Sequence, residues 1–283
     1  MSAPSFLVGA LPTGDTCTLD GPEGHHASTV ARLRVGEPLL LTDGRGGTAT
    51  AVVTAVGRGT LDLTITTRGY AEPPDPRLVV VQGIAKGDRG ELAVQAMTEV
   101  GVDEIVPWAA ERSVVRWRDE RGERARQRWV ATAREAAKQS RRPWHPTVAA
   151  AASTGEVARR LTGPVTQPGA SAAGSGGAAG SGGAAGAAGC GGAAGSAGAA
   201  GAAGVVTGLV LHEEAGLALS RVALPVAGEI VLVIGPEGGI APGELAAFEA
   251  AGAVPVRLGA EVLRTSTAGV AALAVLSARL GRW

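Results

Sequence analysis

Val231-Leu-Val-Ile-Gly-Pro-Glu-Gly-Gly239 is answered further along the chain by Leu258-Gly-Ala-Glu-Val-Leu-Arg-Thr-Ser-Thr-Ala268. The first stretch reads as a buried strand, residues 230–234, running into a turn of Gly235, Pro236, Glu237, Gly238 and Gly239. Glycine permits positive φ and lets a ligand approach bare backbone, and Pro236 pre-sets one φ of the turn. The second stretch repeats the layout: a short apolar strand at 254–258, a polar loop at 259–267 and an alanine-rich helix at 268–280. Two strand–loop–helix units in succession place both loops at the carboxyl ends of parallel strands, the edge at which open α/β sheets bind small ligands.

Upstream, the same alternation begins at Arg77 and predicts an α/β sheet. Leu78-Val-Val-Val-Gln-Gly83 reads as an apolar strand and 86–100 as a helix with Leu92, Ala96 and Val100 on its buried face. Gly101 is placed to end that helix as a C-cap. Glu104-Ile-Val-Pro-Trp108 is the next strand, and a long helix follows over 119–140 with Ala125, Trp129, Ala133 and Ala136 in one stripe. Leu209-Val-Leu-His212 is a further strand, with Glu213 opening the loop after it. Residues 169–204 contain only Gly, Ala and Ser apart from Cys190. With almost nothing to bury, that stretch reads as a flexible insertion.

Residues 1–70 differ. Runs at 16–19, 38–42, 48–56 and 61–67 are Val-, Thr- and Leu-rich and divided by Gly and Asp turns, which predicts a small β-rich domain. Asp43-Gly-Arg-Gly-Gly47 has the makings of a hairpin connection, and Pro22 opens a helix over about 23–33. Neighbouring helix residues diverge, so His25-His26 do not read as a metal pair. Three prolines within 73–76 make 71–76 the connector, leaving 77–283 as the second domain, interrupted at 169–204.

The chain has 283 residues and equal numbers of acidic and basic side chains, 26 of each, so its overall charge favours no particular partner. The distribution does. Between Arg112 and Arg142 stand eleven Lys or Arg against four Asp or Glu. Arg112, Arg116, Arg134, Lys138, Arg141 and Arg142, with Trp117 and Trp144 available to stack on bases, predict phosphate and RNA contacts. The expectation depends on these cations lacking acidic neighbours at helical spacing. Two cysteines build neither a disulfide framework nor a thiolate metal site. No apolar run approaches the length of a membrane span, and the start lacks the pattern of a secretory signal. A cytoplasmic protein without metal or membrane partners is expected. The glycine turn lacks the Gly-Lys-Ser/Thr of a phosphate loop, which argues against nucleotide hydrolysis.

At the level of blocks the chain resembles the ribosomal RNA small subunit methyltransferase E family, within the SPOUT methyltransferases. Gly24-His-His-Ala27 and Asp43-Gly44 are similar to its N-terminal PUA-like, RNA-binding domain. Lys86-Gly-Asp-Arg-Gly-Glu91 and Thr98-Glu-Val-Gly-Val-Asp-Glu-Ile-Val-Pro107 resemble its first sheet segments. Glu111-Arg-Ser-Val-Val115 and Glu135-Ala-Ala-Lys-Gln-Ser-Arg141 resemble its basic region. The two glycine loops resemble its cofactor loops. The resemblance covers nearly the whole chain outside the Gly/Ala/Ser stretch.

The resemblance implies an α/β SPOUT-type sheet domain with a C-terminal trefoil knot, a homodimer, and methyl transfer from S-adenosyl-L-methionine to N3 of one uridine in 16S rRNA. The substrate it implies is the assembled small ribosomal subunit, near the decoding centre. The expected cofactor-binding residues are Leu211, His212, Glu213, Gly235, Pro236, Glu237, Gly238, Gly239, Leu258, Gly259, Leu263, Arg264, Thr265, Ser266, Thr267 and Ala268. Glu237 is expected either to meet a ribose hydroxyl or amino group, or to cap the next helix. Arg264 is the catalytic candidate, a fixed cation that can stabilise charge on uracil but cannot act as a base. The family often has Glu where this chain has Ser266, often Lys where it has Met97, and commonly an early arginine that is absent here. The first of these raises the question of whether an acid or base is missing. Methylation of another RNA, or a non-catalytic RNA-binding assembly module, is the alternative.

Overall fold

In the computed structural model, which describes residues 3–162 and 205–283, the stretch 169–204 and Cys190 lie outside the described residues. The first strands are β1 (Ser5–Leu7), β2 (Thr16–Leu19), β3 (Pro38–Thr42), β4 (Gly47–Val56) and β5 (Leu61–Tyr70). They form one sheet in the order β1-β3-β4-β5-β2, antiparallel except for the β1–β3 pair. Alternation explains its core: Leu39 and Leu41, Ala49, Ala51 and Val53, Leu61, Leu63 and Ile65 all face inward at spacing two. β1 was not foreseen, because three residues are too few to show a period. The Asp43 carboxylate folds the β3–β4 hairpin, Oδ1 accepting from Arg45 N at 2.7 Å and Gly47 N at 3.0 Å. Helix α1 (Gly21–His25), opened by Pro22, passes into a π-helical turn at His26–Val30. It stops short of the expected residue 33, with Arg32 in the left-handed region at φ 53°. His25 is exposed, while the His26 ring packs edge-on to Phe6, so the pair diverges.

From Arg77 onward six parallel strands form the second sheet: β6 (Arg77–Gly83), β7 (Glu104–Trp108), β8 (Thr147–Val148), β9 (Val206–Leu211), β10 (Glu229–Ile234) and β11 (Val254–Val256). Their order is β11-β9-β10-β6-β7-β8. The central strands β6 and β10 are buried along their whole length, as a parallel sheet covered on both faces requires. Leu78, Val80, Ile230, Leu232 and Ile234 face one layer of helices; Val79, Val81, Val231 and Val233 face the other. The first layer holds α2 (Arg89–Glu99), α3 (Asp119–Gln139) and α6 (Thr265–Arg279), the second α4 (Thr154–Thr162) and α5 (Pro242–Ala250). No helix among the described residues is long and apolar enough to cross a membrane.

β8 and α4 were not foreseen, β11 ends at Val256 rather than 258, and two helices depart from the sequence expectation. Helix α2 buries Gly90, Ala93, Val94, Met97 and Thr98 rather than the Leu92–Ala96–Val100 line, and Leu92 is exposed. The reason is close packing on two sides. A Cβ at Gly90 would lie 2.6 Å from the Trp129 ring of α3, and one at Gly269 of α6 would lie 2.5 Å from Met97 Sδ. Helix α6 begins at Thr265, three residues earlier than expected, because the Arg264 carbonyl already accepts from Thr267 N and Ala268 N, both at 2.9 Å.

The amino ends of the central strands carry a buried charge network. Arg77 pairs with Glu229 at 2.5 Å and Glu104 at 2.9 Å, and Arg160 of α4 reaches Glu104 at 2.7 Å and Glu229 at 3.2 Å. Burial pushes the Glu104 carboxyl up, but Arg160 and Arg77 together outweigh it and hold the group below the usual carboxylate range. Its contribution to stability is therefore present above the ordinary carboxylate pKa and is lost as pH falls through the lowered value. Replacing one partner strands the others. Arg160→Ala is expected to lower unfolding stability by about 3 kcal/mol at neutral pH, measured by urea denaturation. A change below about 1 kcal/mol would show that the pairs are solvated in solution.

The two sheets meet along the carboxyl end of α3. Glu23 of α1 accepts from Lys138 Nζ at 2.9 Å and Arg134 Nη2 at 3.1 Å. The hairpin backbone docks on residues 143–145, with Gly46 N to Pro143 O at 2.9 Å and His145 N to Gly44 O at 3.0 Å. Burial, reinforced by Arg142, Arg134 and Lys138, lowers the His145 pKa to about 4, so the imidazole adds no positive charge to this seam at neutral pH.

Candidate active site

Parallel pairing sets the carboxyl ends of β11, β9 and β10 side by side, so the three segments that follow them converge. They enclose a cavity of about 750 Å³, within the range of small-molecule sites. Its wall takes Leu211, His212 and Glu213 after β9, and Gly235, Pro236, Glu237, Gly238 and Gly239 after β10. Leu258, Gly259, Leu263, Arg264, Thr265 and Ala268 complete it after β11. Sixteen cofactor-binding residues were expected, and all but Ser266 and Thr267 line this one space.

Those two are set aside by the early start of α6. Ser266 is buried in its first turn, facing the protein. Thr267 is exposed and turns its hydroxyl to the Arg264 carbonyl at 3.1 Å. Position 266, where the family often has Glu, is therefore buried in the first turn of α6 and does not line the cavity. The Arg264 side chain is exposed on the cavity rim and makes no hydrogen bond or ion pair among the described residues.

Glu237 lines the cavity and does not cap the next helix. Its Oε1 accepts from Lys86 N at 3.1 Å and Arg89 Nη1 at 3.3 Å, tying the glycine turn to the start of α2. The helix after the turn is capped instead by Glu244, whose Oε2 accepts from Ala241 N at 3.1 Å. Glu244 Oε1 also accepts from Glu111 N and Thr154 Oγ1, both at 2.8 Å. That buried carboxylate fixes the segment after β7 beside the turn. Arg112 then lies against Gly238, its Nη1 3.4 Å from Gly238 O.

Arg89, Glu214, Arg257 and Glu261 also line the cavity and were not foreseen as site residues. Glu261 lies within the second loop quoted at the outset, where its charge was a usable signal. Arg89 reaches the cavity from the start of α2, which only the fold reveals. His212 Nδ1 accepts from Glu214 N at 3.3 Å, so the ring hydrogen sits on Nε2.

The basic segment is less free than its sequence suggests. Lys138 is buried between Glu23 and Glu135, and Arg142 is partly buried against Thr98 O, Val102 O and Asp103. Burial lowers the Arg142 pKa, and Asp103 offsets part of that. Arg124, Arg126 and Arg128 find Glu120, Glu123 and Glu91. The expected lack of acidic partners is thus corrected: Glu120, Glu123 and Glu135 pair at helical spacing, and Glu23, Glu91 and Asp103 arrive from other parts of the chain. Trp117 packs edge-on to Trp129, and the Trp144 indole donates to Ala71 O at 2.8 Å, so both rings are committed to protein contacts. Arg112, Arg116, Arg134 and Arg141 stay exposed, Arg134 while paired with Glu23. Among the described residues no three His, Cys, Asp or Glu are grouped to hold a metal.

With the site described, its relatives can be set beside it. A family model for an RNA methyltransferase domain matches residues 72–167 and 202–277, and one for an RNA methyltransferase PUA domain matches residues 19–66. The chain is 41% identical to the ribosomal RNA small subunit methyltransferase E of Mycobacterium bovis, over 100% of this chain and 94% of that protein. To the protein of the same name from Bacillus subtilis it is 26% identical, over 93% and 90%. The crystal structure of a ribosomal RNA small subunit methyltransferase E from Neisseria gonorrhoeae, bound to S-adenosyl methionine, superposes with a TM-score of 0.74. That match has 25% identity and covers 98% of both chains. By full-length identity and by both domain matches, the chain belongs to the ribosomal RNA small subunit methyltransferase E family.

Proposed function

We propose that this chain transfers a methyl group from S-adenosyl-L-methionine to N3 of one uridine in 16S rRNA, on the assembled small ribosomal subunit. The observation that carries the reading is the cavity shared by the three segments after β9, β10 and β11, with Arg264 free on its rim. The wall fits the donor: bare backbone at Gly235, Gly239 and Gly259 can meet adenine, ribose and methionine groups. The rim carboxylates Glu213, Glu214 and Glu261 suit a cationic ligand. When bound, S-adenosylmethionine supplies an electrophilic methyl group on a positively charged sulfur.

The chain itself orients, excludes water and stabilises charge. Uracil N3 must pass its proton to solvent for the methyl group to be accepted, which leaves negative charge delocalised onto the ring oxygens. The Arg264 guanidinium holds that charge, since it stays protonated and has donors to spare. The exposed Arg112 and Arg116 engage RNA phosphates beside the cavity, and Arg134 and Arg141 do so further along α3. The same reading carries a homodimer acting in the cytoplasm and a C-terminal trefoil knot. The out-of-sequence order β11-β9-β10-β6 supports such a path for the chain.

The decisive test is incubation of purified chain and S-adenosylmethionine with small subunits from a strain lacking the enzyme, followed by nucleoside mapping. One 3-methyluridine in 16S rRNA is expected; methylation only of transfer RNA or large-subunit RNA would overturn the substrate. Calorimetry that found no donor binding at millimolar concentration would overturn the enzyme reading itself. Arg116→Ala with Arg141→Ala is expected to flatten the salt dependence of RNA binding by roughly 0.7 to 0.9 per residue in log–log slope. An unaltered slope would leave those side chains as ordinary solvated surface.

A further inference from the structure

We propose that Gln82 is a positioning residue for the donor site: its amide locks the two halves of the cavity wall into register. The proposal rests on the donor reading of the cavity given above.

Gln82 is an amide at the end of an otherwise apolar strand run, and it is 0% exposed. Its Nε2 spends both hydrogens, one on Gly83 O at 3.2 Å and one on Thr265 Oγ1 at 2.8 Å. The Thr265 hydroxyl has a single hydrogen, which goes to Gly235 O at 2.9 Å. The direction of the chain is therefore determined: Gln82 donates to Thr265, and Thr265 donates to Gly235. Turning the amide over would set its oxygen against Gly83 O and draw the hydroxyl hydrogen away from Gly235.

Each member belongs to a different part of the site. Gln82 is the penultimate residue of β6, Gly235 opens the glycine turn after β10, and Thr265 opens α6 directly after the loop at 257–264. Gly235 and Thr265 both line the cavity, so this relay joins its two principal walls. On the neighbouring residue the fit is backbone against backbone. A Cβ on Gly83 would lie 2.5 Å from Pro236 N, so the turn cannot slide along β6.

The arrangement does not look chosen for stability. Among the described residues Gln82 Oε1 is buried with no hydrogen-bond partner, a cost that an apolar side chain of the same size would not carry. An amide kept under that cost fits a geometric role. It holds the turn and the loop where their backbone groups can face one ligand together, as preorganised sites require.

The test is Gln82→Met, an apolar side chain of similar length, beside Thr265→Val, Thr265→Ser and the double variant Gln82→Met/Thr265→Val. Expected are a donor Kd raised about tenfold and a kcat lowered about tenfold in Gln82→Met, with RNA affinity and Tm close to those of the unmodified protein. Thr265→Val should match it, the double variant should lose no more than either single one, and Thr265→Ser, which keeps the hydroxyl, should recover donor affinity to within about twofold. Without ligand, amide hydrogen exchange at 235–240 and 265–268 should quicken together in Gln82→Met. Unchanged donor Kd and kcat, fully additive losses, or unchanged exchange would overturn the proposal. Should Gln82→Met fail to fold, the Thr265→Val and Thr265→Ser contrast decides it alone. Absence of donor binding by the unmodified protein would instead sink the donor reading, and the exchange measurement would still judge the relay.

Discussion

Gly238→Val is expected to weaken S-adenosylmethionine binding by about 100-fold while leaving a folded chain, because one side chain there forces the turn away from its neighbour. A Cβ at position 238 would stand 2.9 Å from both Arg112 Cβ and Arg112 O. Backbone cannot yield at such a contact as a flexible side-chain end can. The segment bearing Arg112 cannot retreat either, since Glu244 holds it through Glu111 N at 2.8 Å. The turn must therefore move, and with it the backbone groups of Gly235 to Gly239 that line the cavity. Gly238→Ala should show a smaller loss in the same direction, as it adds the contact but no branch. Calorimetry on both variants, with a thermal melt to confirm folding, makes the check. Donor affinity unchanged in Gly238→Val would remove the turn from the binding site. The glycine is required by close packing against the next segment, which differs from the simple reading that it leaves room for ligand.

Arg264→Ala is expected to lower kcat by about 10²- to 10³-fold, with donor Kd changed less than about threefold. The backbone argument favours a clean result. What begins α6 is the Arg264 carbonyl, bonded to Thr267 N, Ala268 N and Thr267 Oγ1, and alanine keeps that carbonyl. Only the exposed guanidinium is lost, and with it the positive charge proposed to act on uracil. Arg264→Lys should fall between the two, because an ammonium retains charge but not the planar fork of donors. Single-turnover kinetics on small subunits separates the step from product release. An unchanged rate would deny Arg264 any part in the chemistry. A collapse of donor affinity with the rate intact would make it a binding residue.

Glu237 and Ser266 show where reading a sequence stops. Both stand in loops whose place at the strand ends is written in local pattern, and the loops do gather there. What each side chain does was not legible. Glu237 turns to Lys86 N on the β6–α2 connection and to Arg89 at the start of α2. Ser266 turns inward because α6 begins at Thr265, so its phase on the helix is set by where the first turn starts. The basic segment teaches the same lesson with charge. A search for acidic partners at spacing three or four along α3 does not see Glu23, Glu91 or Asp103, which meet Lys138, Arg128 and Arg142 from elsewhere in the chain.

By itself the sequence determined the alternation of strands and helices from Arg77 onward, the β-rich start, the bends lined with glycine and the family to which the chain belongs. Apolar runs, alternation, proline and glycine act through the backbone over a few residues, and such signals survive in a linear text. Only the tertiary structure decided which charges are buried in pairs, which face of α2 packs inward, and that Gln82 reaches Thr265 across 183 positions. Those outcomes depend on distances between residues far apart in the chain, and such distances exist only once the sheet has brought its strand ends together.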